Sequence, residues 1–242
     1  MQFFTRLTRR QLNKLGLPFL PCEVQSQDCI EIVSEKLPLG QSVLQTALCG
    51  AIAPASCGGM NASALLLTTD AHFDAFGFTD ILAQYIHDHQ LGDLNQDELQ
   101  ALHQAAMKRL FVTACSSELE LLAAVQAARS LCLRDSSVCL LAVDTINAWC
   151  PVNSRRQPKG LYHHTLQSLK GLAGDFDLAI VLHTLKDTSK PELASELPVD
   201  LLLRTHLSTT SSTEYRVDLT VARDGKTARS SHRLPLMQPV LS

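Results

Sequence analysis

No stretch of the 242-residue chain holds the roughly 20 consecutive apolar residues that a membrane-crossing helix needs. At the N-terminus Phe3, Phe4 and Leu7 are interrupted by Thr5, Arg6 and Thr8, and no apolar core follows, so no secretory signal is expected. An excess of positive charge is also missing. The net charge is −3 with a pI near 6.3, which excludes a global basic field for nucleic acid. Any DNA contact must be local or made through a partner. Among the eight cysteines no two are spaced C-x-x-C, and His163–His164 are adjacent rather than spaced for one ion, so no metal site is expected. The thiols sit mostly in apolar runs, as small hydrophobes do, and a reduced, soluble, intracellular protein is the expectation.

What is present is an alternation of apolar runs and helix-periodic segments. Cys29–Val33, Ala64–Thr69, Leu110–Ala114, Val138–Val143 and Leu178–Leu182 read as buried strands. Between them Leu44, Ala47, Leu48, Ala51 and Ile52 repeat at helical spacing from Ser42 onward, and Pro54 closes that helix. Phe78, Ile81, Leu82 and Tyr85 mark the next helical face, with Gly92 as a C-terminal cap. Asn95 with Glu98, and Ser117 with Glu120, have capping-box spacing at two further helix starts. Tyr162, Thr165, Leu166, Leu169, Leu172 and Ala173 give a last helix. Strands with helical crossovers predict a doubly wound, mostly parallel α/β sheet. The tail differs: Val199–Arg204, Tyr215–Ala222 and Thr227–Arg233 read as strands, the last two joined at Asp224–Gly225 in a hairpin. An antiparallel hairpin edge on a parallel sheet is therefore expected, within one domain.

A nucleotide-binding core of this kind carries G-x-x-x-x-G-K-[ST] after its first strand, where backbone N–H groups and the lysine hold phosphate and the hydroxyl holds magnesium. Here that frame reads Glu35-Lys36-Leu37-Pro38-Leu39-Gly40-Gln41-Ser42. Gly40 and Ser42 fit. Glu35 replaces the first glycine and Gln41 the lysine, and both changes oppose a polyphosphate. The same residues also suit a plain strand–loop–helix turn. Asp144, closing CLLAVD, stands where a magnesium-holding aspartate would, or starts a turn. Asp70, ending ALLLTTD, stands where a water-activating acid would, or caps a helix.

TDAHFDAFGFTDIL (69–82), RLFVTACSSELELL (109–122) and SSVCLLAVDTINAWC (136–150) occur in order at compatible spacing. They resemble segments of the eukaryotic recombinase paralogs of the RecA superfamily. The resemblance covers about residues 28 to 185. It implies a RecA-like core over 28–242 with a degenerate phosphate loop, preceded by a segment, 1–27. It places Gly40, Gln41, Ser42 and Asp144 in a degenerate nucleotide site, and Asp70 at a silent catalytic-acid position. It implies location in the nucleus, also the cytoplasm, and partnership with sister paralogs and through them the recombinase. Family members commonly carry a polar nucleotide-sensing residue after the strand in which this chain reads His183-Thr184-Leu185.

Two surface elements complete the reading. Asn153–Gly160 carries Arg155, Arg156 and Lys159 in the loop that faces DNA in RecA-like recombinases, and contains no aromatic for base stacking. It could equally be a solvated basic loop. Residues 1–15 hold Arg6, Arg9, Arg10 and Lys14 without an acid, interleaved with Phe3, Phe4, Leu7, Leu12 and Leu15. That pattern suits a segment docking on a partner subunit, or a basic tail. The expected function is an accessory subunit of a recombinase-paralog complex in homologous recombination and double-strand break repair, acting on single-stranded or branched DNA. It is expected to work without ATP hydrolysis, cofactor or membrane. The alternatives are a slow DNA-dependent ATPase or nucleotide switch using Lys36, and a stand-alone single-strand DNA-binding module.

Overall fold

The architecture follows from where the apolar residues alternate and where they do not. A computed structural model describes residues 26–34, 37–69, 73–90, 92, 94–147, 159–185, 201–209, 214–223 and 226–235. In chain order the elements are β1 (Cys29–Ser34), α1 (Leu37–Ile52), a single 3-10 turn (Ala55–Cys57), β2 (Ser63–Thr68), α2 (Ala75–His89), α3 (Gln96–Met107) and β3 (Leu110–Ala114). Then come α4 (Glu118–Arg134), β4 (Val138–Asp144), α5 (Lys159–Phe176), β5 (Ala179–Leu185), β6 (Leu201–Thr209), β7 (Glu214–Arg223) and β8 (Lys226–Pro235).

The strands form one eight-stranded sheet in the order β3-β2-β4-β5-β1-β6-β7-β8. Pairing is parallel from β3 through β6 and antiparallel from β6 to β8. This is the RecA-like α/β arrangement, with a hairpin edge as expected. Successive strand residues serve opposite faces. Ala64 and Leu66 of β2, Leu140 and Ala142 of β4, and Val181 of β5 pack with α1, α2 and the end of α3. Their neighbours Leu65, Leu67, Leu141, Val143, Ile180 and Leu182 pack with α4 and α5. Each fully buried Leu, Ile or Phe contributes about 1.5–3 kcal/mol, so β2, β4 and β5, apolar on both faces, fix the centre of the sheet.

Local signals behave as their chemistry dictates. Asn95 accepts from the Glu98 N–H and the Glu98 carboxylate accepts from the Asn95 N–H, both at 2.9 Å. At α4 the box is only half closed: the Glu120 N–H donates to Ser117 Oγ, but the Glu120 carboxylate takes the N–H and hydroxyl of Ser116. Those two bonds hold the Glu120 carboxyl below its ordinary range.

Two helix boundaries differ from expectation. α1 begins at Leu37 rather than Ser42. Pro38 explains the earlier start, since a proline in the first helical turn loses no hydrogen bond and is already set at a helical φ. α2 ends at His89 with Gln90 extended, so Gly92, at φ 113, lies beyond the cap position. Of the expected tail strand Val199–Arg204, Val199 and Asp200 lie outside the described residues, and β6 is described from Leu201. Of the expected docking segment 1–27 only Ser26 and Gln27 fall within the described residues. Gln27 ties to the core through its N–H to the Leu178 carbonyl and its amide to Asp177. The turn Asp224–Gly225 lies outside the described residues, although the strands it joins pair in register from Arg223↔Lys226 outward. No described helix is long and apolar enough to cross a membrane.

Candidate functional site at the carboxyl ends of β1, β5 and β4

Strand register brings the polar residues together. β5 lies between β1 and β4, and Ile32 of β1 pairs with His183 of β5. Ser34, His183 and Asp144 all fall on the alternation set that faces α1. In doubly wound sheets ligands bind in the crevice outside the carboxyl ends of the strands. Here that crevice is occupied by the protein's own side chains.

Asp144 is the acceptor at its centre. Gln41 Nε2 donates to Asp144 Oδ2 at 2.9 Å, and Thr145 Oγ1 donates to Oδ1 at 3.1 Å. His183 Nδ1 lies 2.8 Å from the same Oδ1. With the carboxylate accepting, Nδ1 carries the proton, and the far nitrogen, Nε2, meets Ser34 Oγ at 2.8 Å. The line Gln41–Asp144–His183–Ser34 therefore joins α1 to all three strands. Ser34 and His183 are 0 % exposed and Asp144 is 4 % exposed, so each of these hydrogen bonds offsets a real desolvation cost.

The surrounding backbone holds the network rigidly. Thr69 donates its hydroxyl to the carbonyls of Asp144 and Thr145 at 2.8 and 2.6 Å. Thr145 itself has φ 57, in the left-handed region, which turns the chain sharply away from β4. The Ile146 N–H then donates to the His183 carbonyl, and the Asn147 amide exchanges two hydrogen bonds with the backbone of Leu185.

Gly40 is the fourth wall. A Cβ built there would overlap the imidazole of His183 and stand 2.6 Å from Ser34 Oγ. The first turn of α1 thus sits directly on the histidine. Only positions 35 and 36 separate β1 from α1.

Ser34–His183–Asp144 has the hydrogen-bond order of a serine-hydrolase triad. Its burial removes that chemistry: Ser34 is enclosed by Gly40 and His183, leaving no room for a carbonyl carbon at the hydroxyl. What the arrangement can do is close the site on itself.

Of the site residues expected from the sequence, the structure brings Gln41 and Asp144 into contact and sets Gly40 against the same histidine. Ser42 lies in α1, where its carbonyl accepts from the Thr46 hydroxyl. Asp70, Arg155 and Arg156 lie outside the described residues, as do Glu35 and Lys36. Lys159 opens α5. Sequence reasoning noted His183 only at the nucleotide-sensing position and missed its link to Asp144 and Ser34. The signal was a histidine and a serine ending otherwise apolar strands on the same face as Asp144. The six described cysteines are all buried and unbridged. Among the described residues no three His, Cys, Asp or Glu side chains are grouped to hold a metal ion.

Over 129 residues, 52% of its length, the chain is 30% identical to the DNA repair protein XRCC2 of mouse (Mus musculus). Over that stretch the chain is similar to XRCC2. The match agrees with the RecA-paralog resemblance carried by the motifs at 69–82, 109–122 and 136–150. It takes in 42% of the mouse protein, so the chain spans less than half of that relative's length. No family model matches the chain.

Proposed function

We propose that this chain is an accessory subunit of a recombinase-paralog complex, supporting the recombinase filament on single-stranded DNA during homologous recombination and double-strand break repair in the nucleus. On this reading it hydrolyses no ATP. The hydrogen bond from Gln41 to Asp144 carries the proposal. In a working site those two positions hold a phosphate-binding lysine and a magnesium-binding carboxylate, which keep apart to receive Mg-nucleotide. A neutral amide bound to the carboxylate supplies no charge for phosphate and takes up an oxygen that magnesium would need. Similarity to a DNA repair protein supports the biological setting. With the nucleotide site closed, activity moves to the surfaces: the partner subunits, and the basic segment holding Arg155, Arg156 and, at the start of α5, Lys159.

The test is to purify the full chain from cells with whatever it binds, then measure ATP binding by calorimetry and hydrolysis by phosphate release. Expected are co-purification with a paralog that has an intact phosphate loop, and no hydrolysis assignable to this chain. Hydrolysis that disappears on Asp144→Asn in this chain would establish the slow-ATPase alternative. A chain recovered alone and monodisperse would remove the mediator reading.

A further inference from the structure

Charge is spread unevenly along this chain, and its two extremes carry opposite signs. Residues 1–22 hold Arg6, Arg9, Arg10 and Lys14 and no acid. Residues 73–107, which take in α2 and α3, hold Asp74, Asp80, Asp88, Asp93, Asp97 and Glu98 and neither lysine nor arginine. The next cations, Lys108 and Arg109, stand at the end of α3, and Arg109 donates to the Ile52 carbonyl.

α2 buries Phe78, Leu82, Tyr85 and Ile86 in the core. On its outward side Phe76, Asp80, Gln84 and Asp88 follow at four-residue spacing, one ridge about 18 Å long. All four are exposed, and Phe76, at 87 %, is the most exposed of the large apolar side chains described. Gln84 donates to Asp88 at 2.6 Å, and neither α2 nor α3 offers Asp80 a lysine or arginine. The ridge therefore begins with a bare aromatic ring and ends in carboxylates.

The N-terminal segment repeats that order with the opposite charge. Phe3 and Phe4 come first, then Arg6, Arg10 and Lys14, also at four-residue spacing. Gly16 and Pro18 just beyond are helix stop signals. A helix over 3–15 sets Arg6 about 12 Å from Lys14, and Asp80 is about 12 Å from Asp88.

The tether reaches. Gln27 is fixed at the amino edge of the sheet by its bonds to the Leu178 carbonyl and Asp177. Register puts the starts of β1 and β2 on that same edge, three strand spacings apart, about 14 Å. α2 ends there too, since His89 lies against Gly58 in the turn that leads to β2. Residues 15–26 span up to about 40 Å when extended, so Lys14 can meet Asp88 while Phe3 and Phe4 lie toward Phe76. So short a tether holds the segment at about millimolar effective concentration, which favours the chain's own face over one on another molecule.

We propose that residues 3–15 dock along the outward ridge of α2 as an amphipathic helix, with the cations on Asp80 and Asp88 and the phenylalanines on Phe76. The occupant is the chain's own N-terminal segment. The proposal stands apart from the nucleotide reading of the β1–β5–β4 crevice and needs no partner subunit.

Hydrogen exchange of the full chain read by mass spectrometry, with carbodiimide cross-linking of Lys14 to carboxylates, tests it. In the unaltered chain the amides of residues 3–15 should exchange roughly tenfold more slowly than those of an unstructured peptide. Lys14 should cross-link to Asp88 or Asp80 with a yield that does not change on dilution. Asp80→Lys/Asp88→Lys should abolish the protection, and Phe76→Ser should weaken it. Arg6→Glu/Arg10→Glu/Lys14→Glu should abolish it as well, and combining both charge reversals should restore it. The altered positions on α2 are exposed, so an unchanged far-UV spectrum separates undocking from unfolding. Fast exchange of residues 3–15 in the unaltered chain overturns the proposal, as does protection that survives Asp80→Lys/Asp88→Lys. A combined variant that stays unprotected overturns it too. A cross-link yield that falls on dilution places the contact between two copies, and protection that arises only on adding a paralog subunit places the segment on that partner. Either result also overturns it.

Discussion

His183 stands between Asp144 and Ser34, 2.8 Å from each, through its two ring nitrogens. A fully enclosed imidazole in that position has no solvent to fall back on, and its partners have none either. Removing any one member takes a hydrogen-bond partner from its neighbour.

Their substitution costs should therefore rank by how many partners are left unpaired. His183→Ala leaves a buried carboxylate and a cavity, an expected loss of about 3–5 kcal/mol. Gln41→Ala, which takes one donor from Asp144, should cost about 1–3 kcal/mol, and Ser34→Ala about 1 kcal/mol. Urea unfolding of the three variants measures this order, and a double-mutant cycle between Gln41 and Asp144 should return a coupling of about 0.5–3 kcal/mol.

Gln41→Lys is expected not to restore ATP binding. The lysine would regain its charge, but the helix still begins at Leu37 and His183 still fills the crevice under Gly40. Calorimetry at millimolar Mg-ATP should show no saturable heat.

Gly40→Ala sets two effects against each other. Alanine in a helix gains about 1 kcal/mol over glycine, whereas forcing a Cβ into the His183 ring costs about 1–3 kcal/mol or more. The overlap wins, and the midpoint of thermal unfolding should fall. Gly171 and Gly174 of α5 have open space around a built Cβ, so Gly171→Ala and Gly174→Ala should each raise stability by about 0.5–1 kcal/mol.

Alkaline pH should destabilise the fold. Burial raises the thiols of Cys49, Cys115 and Cys132, aided by the carboxylates of Glu120 at Cys115 and Asp135 at Cys132. Burial likewise pushes Tyr85 up to about 12. Each group is held neutral in the folded state, so unfolding releases protons above its ordinary value. Stability from these groups is intact below about pH 8.5 and falls as pH rises through the folded values. Chemical unfolding between pH 7 and 11 follows the decline, and Cys49→Ala should flatten its first part. At pH 8 a thiol reagent should leave these three cysteines unreacted until the chain unfolds.

Much of the fold was legible in the sequence because strands buried on both faces need continuous apolar runs, and ALLLT, VCLLAV and AIVL leave little choice of element. The antiparallel tail was legible from a turn signal, Asp224–Gly225, between two strand-like runs. The site was harder. Gly40, Gln41 and Asp144 were found by matching a motif frame, yet that frame set Leu37–Gln41 as loop and outweighed Pro38, whose place in a first helical turn was the better guide. The link between Ser34 and His183 was missed because it spans 149 positions and depends on β5 inserting between β1 and β4. Strand order is a long-range property that local patterns do not encode.

The insertion of β5 has a further consequence. Because α1 and β4 are bridged over one intervening strand, whatever residue ends that strand acts as the latch between them. A small side chain at position 183 would leave a hollow beneath α1, and a large polar one fills it. Here the imidazole at position 183 fills the space beneath Gly40 and ties the strand ends to each other.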